Sequence, residues 1–180
     1  MVVKSSSSQD FTWDDFGLKL HFRKDSLPEG MEQCTIDIKA SLSGQYELPE
    51  DSHLVSAVFW LRCESVQKFT RPVTLEIQHC ARSKNISKLS IVKAVCSQKQ
   101  LPYTFRPLGG GTFTSHSSYG IIELNGFSGV AVSYEGSSVD VRSYLISLLC
   151  KEVRRPPHYL VEVYIAVIWS LKAHHTVSYT

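Results

Sequence analysis

The chain has 180 residues, of which 43% are apolar, and it carries a formal net charge of +2. This length accommodates one full domain and part of another, and the apolar fraction is ordinary for a folded chain. So small a charge, on scattered basic residues, excludes the strongly basic surface typical of nucleic-acid or anionic-membrane binding, and we predict no nucleic-acid partner.

No segment has the pattern of a targeting or membrane-spanning sequence. The opening MVVKSSSSQD lacks a long apolar region, so it is no signal peptide, and its four consecutive serines favour a flexible leader over residues 1–10. The longest apolar stretch, residues 159–171, has 13 residues and includes Glu162, whereas a spanning helix needs about 20. We therefore expect no direct membrane insertion, and we expect Glu162 on the solvent side of a strand.

A period of two begins after Gly17 and marks the first predicted strand. Its apolar face consists of Leu18, Leu20 and Phe22, and the residues between them are polar, which is the pattern of a half-buried strand. The sequence KDSLPEG then ends the strand, because Pro28 fixes φ and Gly30 tolerates a positive φ. We expect regular structure to start near Trp13.

The same alternation of apolar strands and turn residues continues to residue 134. The further predicted strands lie within residues 34–42, 53–64 (buried on both faces), 71–80, 89–96, 101–108, 118–124 and 127–134. Asn125-Gly126, between the last two, is a strong two-residue hairpin signal. Because many short strands separated by turns are typical of all-β domains, we predict an antiparallel β-sandwich over residues 11–136.

Residues 137–180 permit two readings. The apolar residues between 141 and 153 have helical spacing, yet the segments 144–150 and 159–169 are also good strand material, separated by RRPPH. We favour a pair of strands from an incomplete second β domain. Two strands alone are marginally stable in water, so this segment either packs on the first domain or belongs to a longer unit.

The cysteines predict reduced thiols. The chain has five, an odd number without any CxxC pair, which argues against a zinc knuckle or a redox dithiol. Most lie in apolar stretches, as expected of buried free cysteines. A disulfide framework is the alternative, and it would require an oxidising compartment.

Three segments in the correct order resemble the ZU-5 domain of zonula-occludens scaffolds, netrin-receptor tails and ankyrins. GLKLHFRKDSLPEG (17–30) resembles the opening strand and turn of that family, SAVFWLRCESVQKFTRPVTLEIQHCA (56–81) resembles its core, and NGFSGVAVS (125–133) resembles its closing strand. Residues 143–180 are similar to an early strand of the UPA domain, which follows ZU-5 in several relatives. The Gly-rich segment that opens the family is absent here.

The resemblance implies binding rather than catalysis. Ankyrin-type members bind spectrin, and receptor-type members dock ZU-5 against UPA and death domains. It thus implies a non-catalytic protein-interaction module in cytoplasmic signalling or membrane-cytoskeleton scaffolding, without cofactors. Its partners would be spectrin-like, death-domain or UPA-type proteins, and its place the cytoplasm, as a free protein or as the inner part of a membrane-associated one.

Some death-domain relatives cleave their own backbone at a His-Phe-Ser turn, through attack of the serine hydroxyl on the preceding carbonyl. The matching residues here are Gly126, Phe127 and Ser128. The histidine is missing, and with it the base that would assist the hydroxyl. We therefore predict an inactive, vestigial motif, and keep a degenerate self-processing adaptor and a small-ligand-binding β-sandwich as alternatives.

The remaining candidate site residues have structural interpretations. Adjacent strand residues point to opposite faces, so neither His116-Ser117 nor His79-Cys80 forms a nucleophile–base pair, and His174-His175 lacks acid or thiol neighbours for a metal. PLGGGT lacks the Lys-Ser/Thr of a phosphate loop. We predict no catalytic, metal or cofactor residues. For four aromatics, core packing is favoured over a partner surface: Trp13, Phe16, Trp60 and Tyr103.

Overall fold

The computed structural model describes residues 1–42, 44–81, 83–94 and 101–136. Their thirteen strands are β1 (Val2–Lys4), β2 (Gln9–Trp13), β3 (Leu18–Phe22), β4 (Gln33–Thr35), β5 (Asp37–Ser41), β6 (Tyr46–Glu47), β7 (Ser52–Leu54), β8 (Val58–Arg62), β9 (Val73–Gln78), β10 (Leu89–Ala94), β11 (Tyr103–Leu108), β12 (Tyr119–Leu124) and β13 (Gly129–Glu135). A short 3₁₀ helix spans Ser83–Lys88, and these ranges contain no α-helix. The predicted second domain, residues 137–180 with Glu162 and His174-His175, lies outside them.

Two sheets form a β-sandwich, as the sequence predicts. The smaller sheet has the order β12-β9-β3-β2, with every pairing antiparallel. The larger has the order β5-β8-β13-β10-β11-β6, with β7 also paired to β13, and only its β6–β11 pairing is parallel. One hydrophobic core draws on both sheets, with Leu20 and Leu75 from the smaller and Phe59 and Val132 from the larger.

The alternation read from the sequence is present in the central strands of the smaller sheet. In β3, Leu18, Leu20 and Phe22 are buried while the two residues between them are partly exposed. In β9, Val73, Leu75 and Ile77 are likewise buried. Because burying one such side chain contributes about 1.5–3 kcal/mol, these two strands supply much of the driving force for stacking the sheets.

The larger sheet is apolar on both faces. A second cluster contains the buried residues Val58, Val92, Ala94, Phe105 and Ala131, with Trp60 and Tyr103 packed against it. The prediction that residues 53–64 are buried on both faces is confirmed for β8. The segment is not one strand, however: it breaks between β7 and β8, where the Ser56 hydroxyl accepts a hydrogen bond from the Val132 amide at 2.8 Å.

Residues 1–10 are not the flexible leader that the sequence predicts. Strand β1 pairs with β4, and Val3 lies opposite Cys34 and is 1% exposed. The terminal amine of Met1 also donates a hydrogen bond to the Ile36 carbonyl at 2.8 Å. Regular structure therefore begins at Val2 rather than near Trp13. The sequence did not reveal this strand, because three residues beside a run of serines are too few to show a period of two.

Asn125-Gly126 does not form the predicted hairpin. Strand β12 pairs with β9 in the smaller sheet, and β13 pairs with β8 and β10 in the larger one. The dipeptide instead carries the chain from one sheet to the other. The local turn signal was outweighed by tertiary packing, since Phe127 inserts between Phe22 and Phe69 with ring centroids 6.3 and 4.8 Å away.

Candidate interaction face

The outer surface of the smaller sheet, which we call the polar face, is the candidate site. Register brings its side chains together: Lys19 of β3 lies opposite Glu76 of β9, and His21 lies opposite Thr74. On the other flank, Asp10 of β2 lies opposite His21. An antiparallel sheet packed on one side can turn its other side to water, and the alternation of β3 and β9 makes this outer side polar.

Three ion pairs connect the strands of the polar face. Lys19 Nζ lies 3.3 Å from Glu76 Oε2, and an Arg23 guanidinium nitrogen lies 2.7 Å from Glu123 Oε1. The third pair joins His21 Nδ1 to an Asp10 carboxylate oxygen. All six side chains are at least 36% exposed, and surface pairs of this kind contribute only about 0–1 kcal/mol. They therefore order the face more than they stabilise the fold, and a partner's charges can exchange with them.

A shallow cleft runs across this face. It encloses about 370 Å³ and is lined by Asp10, Phe11, Thr12, Lys19, Leu20, His21, Thr74 and Glu76. Beside it, Lys19 Nζ lies 4.3 Å above the ring centroid of Tyr119, a cation–π geometry. The lining combines cationic, anionic, hydroxyl and apolar groups.

Gly126, Phe127 and Ser128 lie at the crossing between the sheets. The Ser128 hydroxyl donates a hydrogen bond to the Gly129 carbonyl at 3.3 Å, and the Ser128 carbonyl accepts one from the Leu61 amide at 3.1 Å. A Cβ on Gly126 would lie 2.8 Å from the Gln67 carbonyl oxygen. Close backbone approach therefore accounts for the glycine at this position.

His79 and Cys80 directly follow the end of β9, and both are buried. Neither ring nitrogen of His79 has a hydrogen-bond partner among the described residues, and the ring packs edge-on against Phe113. Burial lowers the pKa of His79 and raises the pKa of Cys80 to about 12. Both side chains are therefore neutral at pH 7, which fits a core position rather than an active pair.

We expect His79 to make the fold acid-sensitive. Its folded pKa lies below the ordinary value, so the unfolded chain binds the proton first as the pH falls below about 6.5. Each tenfold difference in proton affinity between the two states lowers the free energy of unfolding by up to about 1.4 kcal/mol. Urea midpoints at pH 7.5 and 5.0 should differ less in His79→Leu than in the wild type. An equal difference in both proteins would contradict this expectation, and His116→Leu, in an exposed turn, is the control.

The other residues singled out from the sequence have structural positions. His116 and Ser117 lie in a turn, where the Ser117 hydroxyl accepts a hydrogen bond from the Tyr119 amide at 3.0 Å. Glycines 109–111 form the loop after β11. The four aromatics pack on the two clusters as expected. Within the described ranges, no three acidic, histidine or cysteine side chains are grouped to hold a metal ion.

The polar face could not be identified from the sequence, although the basic residues on it could be placed on one side of a strand. The pattern of residues 17–23 placed Lys19, His21 and Arg23 on one side of a strand. Their partners Asp10, Glu76 and Glu123 come from three other strands. The ion pairs could not be predicted, because local periodicity does not determine the order of strands in a sheet.

No family model matches this chain, and no curated protein matches it. In the part of the chain that the structure describes, no helix is long and apolar enough to cross a membrane.

Proposed function

We propose that the chain is a non-catalytic protein-interaction module of the ZU-5 type, which acts in cytoplasmic signalling or membrane-cytoskeleton scaffolding. The observation that carries the proposal is the polar face, an exposed sheet surface where two ion pairs line a cleft and a third lies on the same surface. Charged groups arranged in this way select partners by electrostatic complementarity.

The positions of the three ZU-5-like segments support the family assignment. Residues 17–30 contain β3 and its following turn, where Asp25 and Gly30 have φ of 59° and 81°. Residues 56–81 contain β8 and β9, and residues 125–133 contain the crossing and most of β13. The segments thus supply central strands of both sheets. Free Cys34, Cys63 and Cys80 support a reducing compartment such as the cytoplasm.

The test is capture of partners by the whole immobilised chain from a cell lysate, read by mass spectrometry. A face variant, Lys19→Glu/Arg23→Glu, breaks two ion pairs and reverses two charges. The matched control, Lys39→Glu/Arg106→Glu, makes the same change at exposed positions of the larger sheet. Both variants should remain folded, because exposed charges contribute little to stability.

We expect the wild type and the control to enrich the same proteins, and the face variant to lose at least tenfold of that signal. Spectrin-like partners would favour scaffolding, and death-domain or UPA-type partners would favour signalling. Equal capture by the face variant would contradict the polar face as the binding surface. An empty list from folded wild-type protein would contradict the interaction module itself.

A further inference from the structure

Cys34 and Cys63 lie at one corner of the sandwich. Cys34 lies in β4, three residues before β5 begins at Asp37, and Cys63 directly follows Arg62, the last residue of β8. Strands β5 and β8 are antiparallel, and their pairing ends with Asp37 opposite Arg62. Both cysteines therefore leave the same end of this strand pair, and both pack on the main core there. The Cys63 side chain is near enough to contribute to the raised pKa of Cys34.

The two thiols differ in their access to solvent. Cys34 is 5% exposed and belongs to the main core, whereas Cys63 is partly exposed and packs on the edge of that core. Cys63 Sγ also lies 3.6 Å from the hydroxyl of Ser65, an exposed residue. A small oxidant in solution therefore has easier access to Cys63 than to Cys34.

We propose that Cys34 and Cys63 form a reversible redox site, which a peroxide converts into an intramolecular disulfide. This inference is independent of the proposed binding function. It rests on the position of the two cysteines at the same end of the β5–β8 pair, on the core that they share, and on their unequal exposure.

The chemistry takes two steps. The Cys63 thiolate attacks one oxygen of hydrogen peroxide, so an S–O bond forms, the O–O bond breaks and hydroxide leaves, taking up a proton to become water. The Cys34 sulfur then attacks the sulfenic sulfur of Cys63. The S–S bond forms, the S–O bond breaks, and the hydroxyl leaves as water with the proton of Cys34. Two thiols have lost two electrons, and one peroxide has become two water molecules.

Burial sets the order of these steps. It raises the pKa of Cys34 to about 12, with the neighbouring Cys63 adding to the effect. Cys34 is therefore a protonated thiol at neutral pH and a poor first nucleophile, since the thiolate is the reactive form. It acts only in the second step, where the sulfenic sulfur of Cys63 is next to it and the departing hydroxyl takes up its proton.

The disulfide would fasten the small β1–β4 sheet to the main sandwich. Cys34 lies opposite Val3 in the β1–β4 pairing, while Cys63 extends from the central part of the larger sheet through β8. A cross-link between the two removes conformational freedom from the unfolded chain. Oxidation would thus restrain the N-terminal strand, which otherwise pairs with β4 alone.

The experiment uses the whole folded, reduced chain at neutral pH. It is treated with hydrogen peroxide, the remaining thiols are alkylated, and the protein is digested without reductant for mass spectrometry. We expect a Cys34–Cys63 linked peptide, a fall in free thiols from five to three, and recovery of all thiols on reduction. Cys80→Ser should form the same link. Cys34→Ser should instead accumulate a sulfenic acid at Cys63 that a dimedone-type probe traps.

Several results would overturn the proposal. These are alkylation of both thiols at every peroxide level that leaves the protein folded, a link from either residue to Cys96 or Cys150, and overoxidation of Cys63 beside an intact Cys34 thiol. Treatment in urea provides the test of fold dependence. A Cys34–Cys63 link that formed there as readily as in the folded protein would show that the fold does not create the site.

Discussion

Replacing Leu75 with aspartate is expected to unfold the sandwich. Leu75 is 0% exposed and lies in β9, between Leu20 of β3 and Ile122 of β12. The substitution removes a core side chain, which costs about 2–5 kcal/mol, and buries a carboxylate without a partner. Domains of this kind have a total stability of about 5–15 kcal/mol, so little would remain.

The measurement is soluble yield together with urea denaturation followed by circular dichroism. Ile77→Asp, on the same buried side of β9, should behave in the same way. Thr74→Asp is the matched control, because it places the same carboxylate on the outward side of the same strand, where we expect a change below about 1 kcal/mol. A soluble Leu75→Asp protein with a wild-type urea midpoint would show that the core has been misplaced.

The central strands could be predicted because their burial is one-sided and regular. In β3 and β9 every second residue is buried by the opposite sheet, so the environment and the sequence share a period of two. The turn after β3 was also predictable, because Gly30 has the positive φ that a glycine in such a turn suggests. The all-β fold class follows from the repetition of such local patterns.

The misread parts depend on contacts between distant segments. Strand β1 is only three residues long and is stabilised by β4 rather than by its own pattern. The crossing at Asn125-Gly126 has the sequence of a tight hairpin, yet β12 and β13 each find their partners in different sheets. Cys34 and Cys63 are likewise brought to the same end of a strand pair only by the fold. In the sequence they appear as two unrelated buried thiols.

The two sheets differ in how many of their sides are exposed to solvent, and this difference distinguishes the polar face from the rest of the sandwich. The larger sheet has apolar clusters on both sides, and six of the seven residues of β13 are buried. The smaller sheet packs with one side only and carries three cross-strand ion pairs on the other. We therefore expect a partner with charged side chains to bind at the smaller sheet, because the larger sheet is packed by apolar side chains on both of its sides.

Phe69→Ala is expected to cost about 3–5 kcal/mol, the usual range for deleting a buried phenylalanine. Phe69 is 2% exposed and lies in the segment between β8 and β9. Its ring centroid is 6.0 Å from that of Phe22 and 4.8 Å from that of Phe127. Its amide also donates a 2.7 Å hydrogen bond to the Asn125 carbonyl, so the residue holds the crossing between the sheets from two sides.

A double-mutant cycle in urea denaturation tests this role. Phe127→Ala and the double variant with Phe69→Ala should reveal a coupling of about 0.5–1.5 kcal/mol between the two rings. Phe11→Ala, at a partly exposed edge position, is the control and should cost clearly less. A loss of unfolding free energy below about 1 kcal/mol for Phe69→Ala, or additive single effects, would contradict the view that the packed rings stabilise the crossing. Strong coupling would show that packing against Phe69 accounts for the phenylalanine at position 127.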